Sequence, residues 1–393
     1  MKRSANRILT THVGSLPRPD DLLAVNNAIY SEREYDETAY QTVLTRAVAD
    51  IARQQAEIGI DVVNDGEFGK ASRGATDYGP WVSYAWRRLG GWEFGEPGLM
   101  PSLARRRDWQ RFAGFYAELN QPALTSSNPF SGRPQFFTGP VVYTGRQALQ
   151  TDLANLKAAL AAGPSEEAFI TSVAPGSFGR GQNRYYASDE EFLYALADAL
   201  KTEYQAIVDA GFLLQLDDPG LSDGWDSINP ALSVEEYQKF AALRIEAVNH
   251  ALQGIPEDRV RYHICWGSWH GPHTTDIPLR DIVHLLLSVN AGAYSVEAGN
   301  ARHEHEWRVW QDVQLPPGKV LIPGVVSHAT NVVEHPELVA ERILRFARLV
   351  GRENVIAGTD CGLGGRVHHE VAWAKLEVLV EGARLATRDL WGA

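Results

Sequence analysis

The sequence predicts a (β/α)8 barrel, the TIM-barrel class of α/β folds, with a long aromatic-rich insertion after its second strand. Three observations predict it. Eight short runs rich in β-branched and aromatic residues recur along the chain. Longer helix-patterned segments separate most of them, as in parallel βα units. Seven of the eight runs end in polar or ionisable residues, as strands feeding a catalytic barrel rim do.

The runs are RILTTHVGS (7–15), VVNDGE (62–67), AFITSVAPG (168–176), FLLQLDDPG (212–220), VRYHICWG (260–267), AYSVEAGN (293–300), KVLIPGVVS (319–327) and NVIAGTDCGLG (354–364). Two helices carry clear start signals. Ser188 with Glu191 three residues on predicts a capped helix over 189–210, and Pro336 opens another over 336–350. The second and third runs are separated by about a hundred residues, far beyond an ordinary loop. That stretch holds Trp81, Trp86, Trp92 and Trp109 and a further strand-like run, PQFFTGPVVYTG (134–145). It is too aromatic for a disordered linker. The expected organisation is one barrel over 1–393 with a lid-like insertion over 68–166; a separate small domain is the alternative.

Composition bounds the function. A hydrophobic fraction of 44% and a charged fraction of 22% describe an ordinary globular protein. A formal net charge of −12 argues against a nucleic-acid partner, and Arg105-Arg106-Arg107 is expected to be a solvated helix face. The opening MKRSANRILTTHVGSLPRP lacks an apolar core, so no secretory leader is expected. No apolar run approaches the ~20 residues of a membrane helix. Two cysteines make no disulfide framework, and the cytoplasm is the expected setting.

The strand ends carry the chemistry. They present His12, Gly14 and Ser15; Asp65 and Glu67; Asp217 and Asp218; His263 and Cys265; Glu297; Ser327 and His328; and Asp360 and Cys361. His263 and Cys265, spaced i, i+2, share one face of a strand. With Cys361 and Glu297 they form a set of N, S and O donors suited to tetrahedral zinc. A lone buried cysteine ordinarily serves as a small hydrophobe. The only other cysteine of the chain, however, also lies at a polar strand end, in TDCGLGG. His303 or His305 could take the place of Glu297, although both are expected on a solvated helix face.

These segments resemble the cobalamin-independent methionine synthase family, in its C-terminal catalytic barrel. TTHVGSLPRP, NDGE, LQLDDPGL, HICWG, VEAGN, PGVVSHATN and TDCGLG are similar to seven family motifs in the family's order. The resemblance implies zinc held by His263, Cys265, Glu297 and Cys361. It implies that Ser15, Glu67 and Asp217 contact the amino-acid part of a thiol such as homocysteine. Asp218, beside them in the substrate site, stands where the family usually has Glu. His328 would be the general acid that protonates the leaving group. The implied reaction is methyl or alkyl transfer to a zinc-held thiolate, as in methionine biosynthesis. Long family members carry a further N-terminal barrel that helps bind polyglutamylated folate; this sequence has no counterpart, which leaves the alkyl donor open. Short relatives include enzymes joining coenzyme M to epoxides, so an epoxide–thiol transferase or thioether lyase is the alternative. A non-enzymatic barrel delivering a thiol or metal is a third reading, which the general acid and Glu67 speak against. Small molecules are the expected partners, and homo-oligomerisation is left open.

Overall fold

A computed structural model describes residues 1–30, 33–72, 79–96, 106–119, 134–161, 165–177, 182–228 and 230–392. Its strands are β1 (Leu9–Thr10), β2 (Val62–Val63), β3 (Leu89–Phe94), β4 (Gln135–Tyr143), β5 (Glu167–Val173), β6 (Leu213–Asp217), β7 (Val260–Ile264), β8 (Ala293–Val296), β9 (Val320–Val326) and β10 (Ile356–Thr359). Eight of them form a parallel sheet in the order β1-β10-β9-β8-β7-β6-β5-β2. Its two edges meet: Thr11 bridges Val62 in parallel, and Thr11 Oγ1 donates to Val62 O at 3.0 Å. The sheet thereby closes into a barrel, and each of the eight runs read from the sequence overlaps one barrel strand, β5 starting one residue before its run.

The helices are α1 (Asp20–Tyr30), α2 (Glu37–Ile58), α3 (Pro80–Arg88), α4 (Arg107–Arg111), α5 (Ala113–Leu119), α6 (Arg146–Leu160), α7 (Asp189–Asp209), α8 (Gly220–Ser227), α9 (Val234–Ala251), α10 (Leu279–Leu287), α11 (Val309–Asp312), α12 (Pro336–Val350) and α13 (His369–Trp391). Among these residues no helix is long and apolar enough to cross a membrane. Helix α7 starts where its cap predicts: Ser188 Oγ accepts the Glu191 amide at 3.1 Å, and Glu191 reaches back to the Ala187 amide. It then buries Phe192, Leu193, Leu196, Leu200, Tyr204 and Ile207, a stripe at helical spacing. The reciprocal capping box belongs to α9, between Ser233 and Glu236. Helix α12 is capped by His335 and carries Pro336 in its first turn.

The excursion between β2 and α6 adds α3, α4, α5 and the antiparallel pair β3–β4. Trp86 stacks on Phe137 at 5.3 Å, and Phe137 packs on Phe192 of α7, so the excursion shares the barrel's hydrophobic core. Beneath this contact Glu203 of α7 accepts from Arg88, Tyr84, Tyr143 and Ser172. One buried carboxylate thus ties together α3, β4, β5 and α7.

Candidate active site and metal centre

The C-terminal ends of the barrel strands open on a cavity of about 250 Å3. Ser15, Glu67, Asp217, His263, Cys265 and Cys361 all stand on its wall. Trp81 and Trp109 of the excursion and Trp269 of the β7 loop complete its apolar sides. Trp86 and Trp92, by contrast, serve the packing core.

His263 and Cys265 leave the end of β7 on one face, and Cys361 arrives after β10. One donor atom from each lies within 4.8 Å of the others. His263 Nδ1 is held by Ser295 Oγ at 3.1 Å, which leaves Nε2, buried and without a conventional hydrogen-bond partner among the described residues, for the cluster. A hydrogen bond from Cys265 holds the Cys361 thiol well below its ordinary range, against the opposing effect of burial. The same hydrogen bond and burial push Cys265 up. Burial would push His263 down, but Cys361, Asp217 and Glu297 outweigh it and hold the imidazole up. Two thiols and an imidazole in this arrangement can hold a metal ion.

Glu297 lies in a neighbouring cluster, within 4.8 Å of His328 and Asp360 by the same measure. Its Oε1 accepts the Trp266 amide at 2.9 Å and its Oε2 accepts Asn300 Nδ2 at 2.7 Å. Glu297 and His328 line a second cavity, separated from the first by Ser268 and Trp269, which border both. Asp360 accepts the amides of Ala298 and Gly299 and thereby fixes the turn that carries Glu297. Burial pushes His328 down to about 3, so its imidazole is neutral, and its Nδ1 is buried without a partner among the described residues.

Several side chains fall elsewhere than the sequence suggested. Asp218 is absent from the cavity wall: it accepts from Tyr262 Oη at 2.7 Å and from Ser177. The strand pleat explains this, because consecutive residues point to opposite faces. His12 is buried against Gln55 at 2.8 Å and pushed down to about 4 by burial. His303 is buried rather than solvated. Its two nitrogens bond Glu306 and Asp276, burial would lower it, and these carboxylates raise it to about 10. That imidazole is occupied on both sides, and only His305 is exposed. The arginine cluster also differs from expectation. Arg106 pairs with Asp223 and lies over Trp269 at 4.7 Å; Arg107 donates to Trp225 O and lies over the Trp225 ring. Arg105 lies outside the described residues. These contacts dock the excursion on the loops after β6 and β7, and the sequence carried no signal for them.

The glycine of the first motif has a steric reason. Gly14 has φ +140, and a Cβ there would lie 2.8 Å from Thr171 Cγ2 and 2.9 Å from Glu67 Oε1. Only glycine lets Glu67 approach so closely.

The profile described as "Cobalamin-independent synthase, Catalytic domain" matches residues 176–385, more than half of the chain. The chain belongs to this family. It is an enzyme of the methionine synthase type. Methionine synthase of Thermococcus kodakarensis is 24% identical over 97% of this chain and 94% of its own length. The 2-hydroxypropyl-CoM lyase of Xanthobacter autotrophicus is 24% identical over 98% and 96%. In fold, this cobalamin-independent synthase barrel matches a B12-independent methionine synthase from Shewanella sp. W3-18-1, solved with selenomethionine. The TM-score is 0.72 at 19% identity, covering 98% of this chain and 100% of that one.

Asp217 allows a test of the site's electrostatics. Burial pushes its carboxyl up to about 7. The folded, metal-free protein therefore keeps this proton to about pH 7, while the unfolded chain releases it near 3.8. Its contribution to stability falls as pH rises between those values. Asp217→Asn keeps the hydrogen bond from Gln215, now 2.8 Å long, and removes the buried charge. The melting temperature of the metal-free variant should exceed wild type by a few degrees at about pH 8 and match it at about pH 4. An equal difference at both pH values would contradict this account of Asp217.

Proposed function

We propose that the protein is a zinc-dependent enzyme that transfers a methyl or other alkyl group to the sulfur of an amino-acid thiol of the homocysteine type. The observation that carries this reading is a single cavity wall bearing both the His263–Cys265–Cys361 cluster and the polar set Ser15, Glu67 and Asp217. His263, Cys265 and Cys361 would hold the zinc, with Glu297 as fourth ligand in place of one of its present hydrogen bonds. Two thiolates, an imidazole and a carboxylate suit that ion. Bound zinc supplies the acidity that keeps a substrate thiol ionised at neutral pH.

The chain's own residues supply the remainder. Glu67 accepts the substrate's ammonium group, with Asp217 beside it, and Ser15 Oγ meets the carboxylate. Trp81, Trp109 and Trp269 keep water from the reacting sulfur. The thiol's proton leaves to solvent on binding; His328, neutral at rest, takes a proton from solvent during turnover and delivers it to the departing atom of the alkyl donor. Cavity and excursion act as one catalytic unit, and the partners are small molecules.

The test uses zinc-loaded protein. L-Homocysteine binding should release about one proton near neutral pH, seen by calorimetry in buffers of different ionisation enthalpy. X-ray absorption at the zinc edge should show sulfur replacing an oxygen or nitrogen neighbour. Tight binding with neither change refutes the reading. The thioether-lyase alternative rests on the 2-hydroxypropyl-CoM lyase relative. Thiol consumption with an epoxide and no methyl donor would establish it; Glu67 and Asp217 on the cavity wall favour a thiol that carries an ammonium group.

A further inference from the structure

Lys70 is a buried cation that none of the chemistry above uses. Its Nζ lies 3.0 Å from Glu67 Oε1 and donates to Thr171 Oγ1 at 2.6 Å. Thr171 Oγ1 in turn donates to the same Glu67 oxygen at 2.5 Å. Lys70 is 5% exposed and Glu67 6%, so this triangle is shielded from solvent. The Lys70 ammonium also lies over the Tyr84 ring at 4.4 Å, which joins it to the excursion.

Glu67 itself is held in an uncommon backbone conformation, with φ +61. Its amide donates to Asp65 Oδ1 at 2.9 Å, and Arg18 Nη2 donates to the carbonyls of Glu67 and Lys70 at 2.8 and 2.9 Å. The turn is over-determined, as backbone strain at a functional position requires. With Oε1 shared between Lys70 and Thr171, Oε2 takes no hydrogen bond from the described residues, while Glu67 lines the cavity.

We propose that Lys70 is a positioning residue of the thiol subsite: it anchors Glu67 Oε1 and so presents Oε2 to the cavity as a fixed anionic acceptor for an ammonium group. The proposal rests on the amino-acid-thiol reading of the site. The electrostatics agree with it. Burial would push Glu67 up, but Lys70, Thr171 and Arg18 outweigh it and hold the carboxyl below its usual range. The other ionisable groups facing Glu67 are Asp65, Asp217 and His12. None of these is a cation that offsets the loss of Lys70: burial raises both acids to about 7 and lowers His12 to about 4. Without Lys70, Glu67 takes up a proton nearer neutral pH and loses its anchor.

The experiment measures binding to zinc-loaded wild type, Lys70→Met, Lys70→Gln and Lys70→Arg from about pH 6 to about pH 9. Two probes are used: L-homocysteine, and 4-mercaptobutyrate, which lacks the ammonium group. Lys70→Met and Lys70→Gln should bind homocysteine about 10–100-fold more weakly near pH 6.5, with the deficit narrowing as pH rises. Their affinity for 4-mercaptobutyrate should match wild type, and Lys70→Arg should restore most of the loss. Equal weakening toward both thiols at unchanged zinc content, or a wild-type pH profile in either neutral variant, overturns the role of Lys70. Should Lys70→Met fail to fold, Lys70→Gln and Thr171→Val carry the same comparison. Wild type that does not prefer homocysteine overturns the amino-acid reading, and the proposal with it.

Discussion

Cys265→Ser and Cys361→Ser should each strip the metal from the protein, and the double variant should hold none after dialysis. Wild type should carry about one zinc per chain. The reason lies in the donor chemistry. A serine hydroxyl does not ionise at neutral pH and is a poor ligand for zinc beside an imidazole. The remaining thiol also loses its hydrogen-bonded neighbour. Turnover should vanish with the metal, and the effect should exceed that of any other change in the cavity. Elemental analysis and a parallel activity assay check it. Cysteine burial offers a control: Cys265 is 6% exposed in a packed environment, so a purely apolar role would cost stability while leaving metal content intact. Stoichiometric zinc in the double variant would remove both cysteines from the ligand set.

His328→Asn should lower turnover about 10²–10⁴-fold, the usual cost of losing a general acid, with much smaller change in thiol affinity. The geometry motivates the size. His328 is buried, lines the second cavity together with Glu297, and has an Nδ1 without a partner among the described residues. Burial keeps it neutral at rest, so it carries a proton only during turnover. Single-turnover rate, zinc content and melting temperature separate the roles. A ligand would cost zinc, a structural histidine would cost stability, and a proton carrier costs rate alone. A variant with wild-type rate, zinc and stability would show that the proton travels by another path. Asp218, the next acid along the sequence from the substrate set, does not provide one, because Tyr262 and Ser177 hold it away from the cavity wall.

The sequence alone determined the barrel, because strand residues repeat with a local period and helix starts are written in caps. Thr10–Thr11 and Val62–Val63 needed no knowledge of each other to be read as strand ends, although their bridge closes the sheet. It also determined which residue types reach the rim, since His263 and Cys265 sit two apart and the second cysteine lies in another polar strand end. Tertiary structure decided what those residues face. It joined His263, Cys265 and Cys361 and set Glu297 in the adjoining cluster with His328. It turned Asp218 away from its neighbour Asp217, a consequence of the pleat that only a fixed register assigns to one side. It packed Arg106 and Arg107, half-buried, against Asp223 and Trp225, more than a hundred residues distant, where composition suggested a solvated face. It gave Lys70, in the turn after β2, a partner in Thr171 of β5. Local pattern is set by backbone geometry over a few residues and is legible in order. The partner of a buried charge is set by which distant segment arrives beside it, and burial is costly enough that such a partner must be present once the chain has folded.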